Sequence, residues 1–370
     1  MTYRILVVDD SVFMRRIISD LIAEDPELEV IGTARNGKEA VEQVKLLRPQ
    51  AVTLDVEMPE MNGLEALRHI MSEAPTPVIM LSSLTQEGAR ETIRALELGA
   101  FDFICKPSGS ISLDLYKVKQ QLHEKLRAAV KANVKKASPL AAQAALPPKP
   151  APAAPAARGA AAVPNAAADK PAGSTQFEHL IAIGTSTGGP RALHHVVSQL
   201  PSNLPAPVLI VQHMPPNFTK SLAQRLNDVS RVKVVEAEDG QVLETGTAYV
   251  APGGWHMTAH RDSKHVYRIR LNKDDPRSGH RPSVDVLFES LVPLKELKRH
   301  AVIMTGMGSD GARGMLAMRQ SGAVTTIAEA EESCVVYGMP RAAAKLNAAT
   351  DVLMQQDIAR KLAQSVGCSG

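Results

Sequence analysis

The chain has 370 residues, of which 44% are hydrophobic, and its 42 Lys and Arg residues nearly balance its 39 Asp and Glu residues to give a formal net charge of +3. This length is enough for two domains, and the near-neutral balance argues against a dedicated nucleic-acid-binding protein, which needs a concentrated basic surface. With no long apolar segment, no signal sequence and three dispersed cysteines, we expect a cytoplasmic protein that does not insert into membranes and has no disulfide framework.

Short apolar runs alternate with helical patterns over the first third of the chain. The runs predict buried strands at 4–8, 29–32, 51–55, 77–82 and 102–105. Each run is followed by apolar residues at helical spacing. This alternation is typical of a doubly wound α/β domain with a parallel sheet.

Carboxylates, a hydroxyl and a lysine lie at the ends of four of these strands. Asp9 and Asp10 follow the first strand, Asp55 ends the third, Ser82 ends the fourth and Lys106 follows the fifth. The carboxyl ends of parallel strands meet at one edge of a sheet, so we expect these side chains to converge on one crevice. A hard cation such as Mg²⁺ would relieve the repulsion between the carboxylates. A carboxylate beside a metal site and a lysine is suited to attack a phosphoryl donor, which points to Asp55.

The first domain resembles the receiver domain of two-component response regulators in four segments: VVDDS at 7–11, LDVEMPEMNG at 54–63, MLSS at 80–83 and ICKP at 104–107. The resemblance implies that Asp55 is the phosphoacceptor and that Asp9, Asp10 and Asp55 bind Mg²⁺. It also implies a histidine kinase as the phosphodonor.

The same resemblance assigns three more side chains around the phosphoacceptor. Ser82 is implied to follow the phosphoryl group, and Lys106 to be its cationic partner. Phe103 takes the place of the aromatic residue that many receivers rotate on activation. Since Phe103 has no hydroxyl group, only the packing of its ring can report the activation state.

The segment 137–173 differs from the rest in composition, because 17 of its 37 residues are Ala and 8 are Pro. Repeated Pro excludes a continuous helix, and the segment has too few large apolar residues to offset its ordering entropy. We therefore predict a disordered linker at 137–173, between a first domain at 1–136 and a second domain at 174–370.

Three strand ends of the second domain carry a serine, a histidine and an aspartate. A strand at 179–184 leads into a Gly-rich turn that contains Ser186, a strand at 207–212 is followed by His213, and a strand at 301–305 is followed by a turn with Asp310. If these ends meet, Ser186 can attack a carbonyl carbon, His213 can take up and return the proton, and Asp310 can orient the imidazole. The Gly-rich turn by itself leaves a second interpretation open, in which it holds a phosphate group.

Other residues compete for these roles or complete them. His256 also follows a strand and is either a rival base or a residue on the substrate side. Asp285 is a rival acid, although its place at the start of an amphipathic helix favours an N-terminal cap. The N–H groups near Thr187 or Met307 could stabilise an oxyanion.

The second domain resembles the catalytic domain of the chemotaxis protein-glutamate methylesterases in five segments: IGTSTGGP at 183–190, VQHMP at 211–215, APGGWHM at 251–257, RPSVDVLF at 281–288 and MTGMGSDG at 304–311. The resemblance implies that Ser186 is the nucleophile, His213 the base and Asp310 the triad acid. Thr185 stands where the family signature has Ala. The implied fold is two doubly wound parallel-sheet domains, a flavodoxin-like receiver and a Rossmann-like catalytic domain.

The implied function is hydrolysis of glutamate γ-methyl esters on chemotaxis receptors, with deamidation of glutamines as a second activity. We expect no cofactor for the hydrolysis, and we expect the unphosphorylated receiver to cover the Ser186 cleft. The alternative is a response regulator without enzyme activity, whose second domain binds a nucleotide or a partner at the GTSTGG turn. A transcription factor is less favoured, because the second domain shows no helix-turn-helix or basic-aromatic stripe.

Overall fold

The computed structural model describes residues 2–106, 112–131 and 173–368. Most of the predicted linker at 137–173, together with the boundary at residue 136, lies outside the described residues. In the part that is described, no helix combines the length and the apolar character needed to cross a bilayer.

The first domain alternates strands and helices as its sequence predicts. Its elements are β1 (Tyr3–Val8), α1 (Val12–Ala23), β2 (Leu28–Ala34), α2 (Gly37–Leu47), β3 (Ala51–Asp55), α3 (Gly63–Glu73), β4 (Val78–Ser82), α4 (Gln86–Glu97), β5 (Asp102–Cys105) and α5 (Ser112–Lys131). Side chains that cap helix N-termini fix several of the starts: Asn36 precedes α2, Asn62 precedes α3 and Thr85 precedes α4.

The five strands form one parallel sheet in the order β2-β1-β3-β4-β5. Strand β3 lies at the centre, and all of its residues are buried. Helices cover both faces of the sheet, with α2, α3 and α4 in contact with one apolar cluster and α1 and α5 with another. Asp9, Asp55 and Lys106 therefore lie at the same edge of the sheet, at the ends of β1, β3 and β5.

The second domain is a larger α/β unit. Its elements are β6 (His179–Thr185), α6 (Gly189–Ser198), β7 (Val208–Gln212), α7 (Phe218–Val229), β8 (Lys233–Glu236), β9 (Thr247–Val250), β10 (His256–Arg261), β11 (Tyr267–Asn272), α8 (Val284–Leu291), β12 (Lys298–Ile303), α9 (Ala312–Gln320), β13 (Thr325–Glu329), α10 (Met339–Lys345), β14 (Asp351–Leu353) and α11 (Gln355–Ser365).

Seven of these strands form a second parallel sheet in the order β14-β13-β12-β6-β7-β9-β8. The chain leaves β6 toward β7 on one side and later returns to β12 on the other. This central position is the switch point at which doubly wound sheets place their ligand sites. The predicted fold class, two doubly wound parallel sheets, is confirmed.

The antiparallel hairpin of β10 and β11 was not predicted from the sequence. Its inner residues Met257, Ala259 and Ile269 are buried in the same cluster as Phe288 of α8. The hairpin is therefore part of the apolar cluster that α8 forms with the parallel sheet.

Candidate active site and acidic pocket

The strand register places the three predicted residues of the second domain at one edge of the sheet. Thr185 of β6 is paired with Gln212 of β7, so that Ser186 and His213 each follow a paired strand end. On the other side of β6, the N–H of Ser186 donates a hydrogen bond to the carbonyl oxygen of Thr305, 3.0 Å away. The same edge thus receives residues from β6, β7 and β12.

The turn after Ser186 is tightly packed. Gly188 has φ +77°, in the left-handed region that favours glycine, and precedes α6. At Gly189 an added Cβ would lie 1.9 Å from Oε1 of Gln212, and Nε2 of Gln212 in turn donates to the carbonyl oxygen of Ser186 at 2.9 Å. The glycines let the backbone approach Gln212 closely, and the hydrogen bond from Gln212 holds the backbone of Ser186 in place.

His213 and Asp310 form a buried pair. Nε2 of His213 lies 2.8 Å from Oδ2 of Asp310, and both side chains are almost fully buried. Nδ1 of His213 is buried and has no hydrogen-bond partner in the described part of the chain. With Nε2 engaged by the carboxylate, Nδ1 is the ring nitrogen that can receive a proton.

The environment of Asp310 keeps its carboxylate ionised. Burial acts to raise the pKa of Asp310, but the hydrogen bond and charge of His213, together with the N–H groups of Val284 and Asp285, outweigh it and lower the pKa to about 2. Those N–H groups lie at the start of α8, and Ser283 Oγ donates a further hydrogen bond at 2.8 Å. A helix N-terminus favours a negative charge, so α8 stabilises the charged form of Asp310.

Asp285 caps a helix other than the one the sequence suggests. The N-terminal cap of α8 is Ser283, whereas the Asp285 carboxylate accepts the N–H of Gly314 in the first turn of α9 at 2.7 Å. Asp285 is thus a capping residue, and it connects α8 to α9 beside Asp310.

Sequence reasoning missed His280. Its ring stacks on the ring of His213 with the centroids 3.8 Å apart and the planes 8° from parallel. Burial and the neighbouring His213 lower the pKa of His280 to about 4, so that His280 is neutral near pH 7. It lies directly before the RPSVDVLF segment at 281–288, but nothing in the residue pattern marks it as a neighbour of His213.

The residues expected near an oxyanion take different positions. The backbone N–H groups of Thr187 and Met307 follow Ser186 and Gly306, and neither has a hydrogen-bond partner among the residues described. His256 begins β10 and is buried, and its Nε2 lies 3.1 Å from the carbonyl oxygen of Asp275. The structure records no contact of His256 with Ser186 or His213 within the described ranges.

The first domain brings its predicted acidic residues together. One carboxylate oxygen each of Asp9, Asp10 and Asp55 can be chosen so that all three lie within 4.8 Å of one another. Nζ of Lys106 lies 2.8 Å from Asp9 and 2.7 Å from Asp55. Burial raises the pKa of Asp55 to about 6, against the lowering effect of Lys106 and with a smaller contribution from Asp9 and Asp10.

The hydroxyl of Ser82 contacts α4 in this structure. Ser82 Oγ lies 3.1 Å from the carbonyl oxygen of Gly88 and accepts a hydrogen bond from Thr92 Oγ1 at 2.7 Å. In this conformation the Ser82 hydroxyl is thus hydrogen-bonded to residues of α4. Phe103 is also buried, and its ring stacks on Phe218 of the second domain with centroids 4.6 Å apart.

Comparison with known proteins identifies the family of each domain. Residues 181–362 match the family model for the CheB methylesterase, and residues 5–115 match that for the response regulator receiver domain. A protein-glutamate methylesterase/protein-glutamine glutaminase from Geobacillus kaustophilus is 51% identical over 99% of this chain and 99% of its own length. The chain belongs to this methylesterase family. Another member, from Bacillus subtilis, is 49% identical over 98% of each chain.

Among solved structures, the catalytic domain of the Thermotoga maritima CheB methylesterase is 41% identical; the match covers 51% of this chain and 99% of that one, with a TM-score of 0.49. Family membership confirms the expectation of an esterase joined to a receiver. It also removes the alternative of a response regulator without enzyme activity.

The receiver domain and the methylesterase domain meet beside the Ser186 turn. Oγ1 of Thr187 donates a hydrogen bond of 2.6 Å to Oδ2 of Asp102, whose other oxygen lies 3.0 Å from Nζ of Lys125. Glu97 of α4 pairs with Arg225 of α7 at 2.7 Å. The contact thus reaches the residue next to Ser186.

Proposed function

We propose that this methylesterase hydrolyses glutamate γ-methyl esters on chemotaxis receptors, giving glutamate and methanol, and that it deamidates glutamines with release of ammonia. The catalytic groups in this proposal are Ser186, His213 and Asp310. The proposal rests chiefly on the His213–Asp310 pair at the strand end beside Ser186, in which Nδ1 of His213 has no hydrogen-bond partner in the described ranges. The proposed site of action is the cytoplasm.

In the first step, Ser186 Oγ attacks the γ-carbonyl carbon while Nδ1 of His213 accepts the hydroxyl proton. Because Nδ1 has no hydrogen-bond partner among the described residues, the Ser186 side chain must turn toward it for the proton transfer. Asp310 holds the proton on Nε2 and stabilises the imidazolium that forms. The low pKa of Asp310 suits this task, since an ionised carboxylate stabilises the cation.

The developing oxyanion lies within reach of the backbone around Ser186. We assign the N–H groups of Thr187 and Met307 as its donors, because both are without partners in the described residues. The imidazolium then gives its proton to the methoxy oxygen as the bond to the carbonyl carbon breaks, so that methanol leaves; with a glutamine it gives the proton to the amide nitrogen, so that ammonia leaves. Water attacks the acyl group in the second step, with His213 again as the base, and releases glutamate.

The receiver is proposed to control this reaction through Asp55. The oxygen donors of Asp9, Asp10 and Asp55 suit Mg²⁺, which binds carboxylates. When bound, Mg²⁺ would neutralise charge on the phosphoryl oxygens. Asp55 would attack the phosphoryl group of a histidine kinase, and Lys106 would hold the transferred group by its ammonium charge.

We further propose that the unphosphorylated receiver inhibits the esterase by docking. The Asp102–Thr187 hydrogen bond joins the receiver to the loop that carries Ser186, and the Phe103–Phe218 stack joins it to the start of α7. The linker at 137–173 keeps the receiver near the esterase, so that even a weak contact is populated. Phosphorylation at Asp55 would weaken this contact.

The experiment that tests the catalytic proposal is methanol release from a methylated receptor. Replacing Ser186 with Ala removes the attacking oxygen, and we expect the rate to fall by at least about 1,000-fold. Ser202→Ala, at an exposed serine, is the matched control and should leave the rate unchanged. Methanol release that survived the loss of Ser186 would contradict the assignment.

A further inference from the structure

Glu329 is a buried acid that the mechanism above does not use. It ends β13, its side chain is fully buried, and the described residues hold no ion-pair partner for it. Burial raises the pKa of Glu329, although hydrogen bonds from neighbouring groups oppose this. Burying a carboxyl group without a cation beside it costs free energy unless hydrogen bonds replace those it made with water.

The two oxygens of Glu329 bind two different loops. Oε2 accepts the backbone N–H of Thr305 at 2.8 Å, and Oε1 lies 2.9 Å from Oγ of Ser333. Ser333 Oγ also accepts the N–H of Gln355 at 3.1 Å, so its own hydrogen is available to Glu329. The carboxyl group therefore joins the end of β12 to the loop after β13.

Thr305 is the point at which these loops meet the catalytic turn. Its carbonyl oxygen accepts the N–H of Ser186 at 3.0 Å. Its Oγ1 donates to the carbonyl oxygen of Thr187 at 2.9 Å and accepts the N–H of Val336 at 2.9 Å. One residue thus contacts the proposed nucleophile, a proposed oxyanion donor and the loop after β13.

The next residue leaves little room for adjustment. A Cβ added at Gly306 would lie 2.8 Å from Cβ of Ser186 and 2.4 Å from Sδ of Met339. Gly306 N–H also donates to the carbonyl oxygen of Val336 at 3.0 Å. A shift of Thr305 would consequently displace Ser186 and the N–H of Met307 together.

We propose that Glu329 is a positioning residue for the esterase reaction: its carboxyl group accepts the Thr305 N–H and so holds Ser186 and the oxyanion donors in register. The site requires a hydrogen-bond acceptor at the position of Oε2 and a polar atom at the position of Oε1 that can bind Ser333, and a negative charge is not needed. Gln therefore meets the same requirement, whereas an apolar side chain of similar length does not. This inference rests on the proposed role of Ser186.

The test compares Glu329→Gln with Glu329→Met in the full chain, activated by a small-molecule phosphodonor, with methanol release from a methylated receptor as the assay. We expect the Met variant to lose at least about tenfold in kcat with KM within about twofold of the wild type, because alignment in the transition state is lost while substrate binding remains. We expect the Gln variant to keep kcat within about twofold. Glu332→Met, at an exposed acid on the same loop, is the matched control.

Two results would overturn the inference: wild-type kcat in a folded Met variant, or a Gln variant as impaired as the Met variant. If the Met variant does not fold, Ser333→Ala replaces it, since this change removes one of the hydrogen bonds of the carboxyl group. The Ser333 variant should then have a lower kcat, and an unchanged kcat would count against the inference. The Ser186→Ala result separates the two proposals. An inactive Ser186→Ala protein beside a fully active Glu329→Met protein would refute only the role of Glu329.

Discussion

Asp55 shows how the environment of one residue prepares it for its chemistry. Its side chain is buried near two other carboxylates, and burial raises its pKa to about 6. Lys106 opposes that shift with a direct contact of 2.7 Å. Binding of Mg²⁺ would add positive charge at the same place and favour the ionised form, which is the nucleophilic one.

Replacing Asp55 with Asn should abolish activation by a phosphodonor, because the amide cannot accept a phosphoryl group. We expect methanol release by the Asn variant to stay at the unphosphorylated rate, with or without the phosphodonor. Chelation of Mg²⁺ should have the same effect on the wild type. Asp20→Asn, at an exposed acid on α1, should be activated normally, and activation of the Asp55 variant would refute the assignment.

The residues that sequence reasoning singled out lie after strand ends: Ser186 and His213 directly follow β6 and β7, and Asp310 lies in the loop after β12. Ser186, His213 and Asp310 follow apolar runs whose strand character is easy to recognise, and parallel strands bring such residues to one edge. His280 and Ser283 belong to a long irregular connection before α8, and their nearness to His213 and Asp310 depends on how that connection folds back. Residue patterns alone carry no signal for such a contact.

At the scale of elements, the helix and strand that face the esterase are α4 and β5. Glu97 near the end of α4 binds Arg225, and Asp102 and Phe103 in β5 contact Thr187 and Phe218. Ser82 at the end of β4 hydrogen-bonds to α4, in the same region of the receiver. If phosphorylation moved the Ser82 hydroxyl, the change would therefore affect α4, which contacts the esterase through Glu97.

Loss of the Asp102 side chain should weaken docking. A hydrogen bond to a charged group contributes about 1.5–3 kcal/mol, so we expect Asp102→Ala to raise the unphosphorylated rate by about tenfold or more, with the phosphorylated rate as the upper limit. The phosphorylated rate should stay the same, since docking is then already weakened. Methanol release without a phosphodonor measures this effect.

Asp20→Ala serves as the control for this change, since Asp20 is an exposed residue that pairs with Arg16 far from the esterase. Its unphosphorylated rate should equal that of the wild type. An Asp102→Ala protein that showed no gain in that rate would exclude the Asp102 contact as part of the inhibition.

At the scale of the whole molecule, a second histidine pair lies in the esterase sheet, within strands β6 and β12. Nδ1 of His179 lies 3.0 Å from Nε2 of His300, and burial lowers the pKa of His300 to about 4, helped by the charges of His179 and Lys298. The unfolded chain binds a proton at this residue below about pH 6.5, whereas the folded chain does not until about pH 4. The free energy of unfolding should therefore fall as the pH drops through this range.

His300→Gln should make the thermal unfolding midpoint less sensitive to pH between 7 and 5. In terms of the free energy of unfolding, the pH slopes of the two proteins should differ by at most about 1.4 kcal/mol per pH unit, which is the value for one proton. Asp55 has the opposite effect on the free energy of unfolding, because its raised pKa makes the folded state bind more protons between about pH 4 and 6. This contribution is the same in the wild type and in the His300 variant, so it cancels in the comparison. His260→Gln, at an exposed histidine, should behave like the wild type, and equal pH slopes for all three would contradict this account.

The sequence by itself determined the two α/β domains, the acidic pocket and the serine, histidine and aspartate at three strand ends. Apolar runs and helical periodicity specify strands and helices locally, and the parallel arrangement then brings strand ends together. Only the tertiary structure decided that α8 holds Asp310, that His280 stacks on His213, that Glu329 reaches Thr305 and that Asp102 contacts Thr187. These contacts join residues far apart in the chain, and they depend on how side chains from different elements pack, which local patterns do not encode.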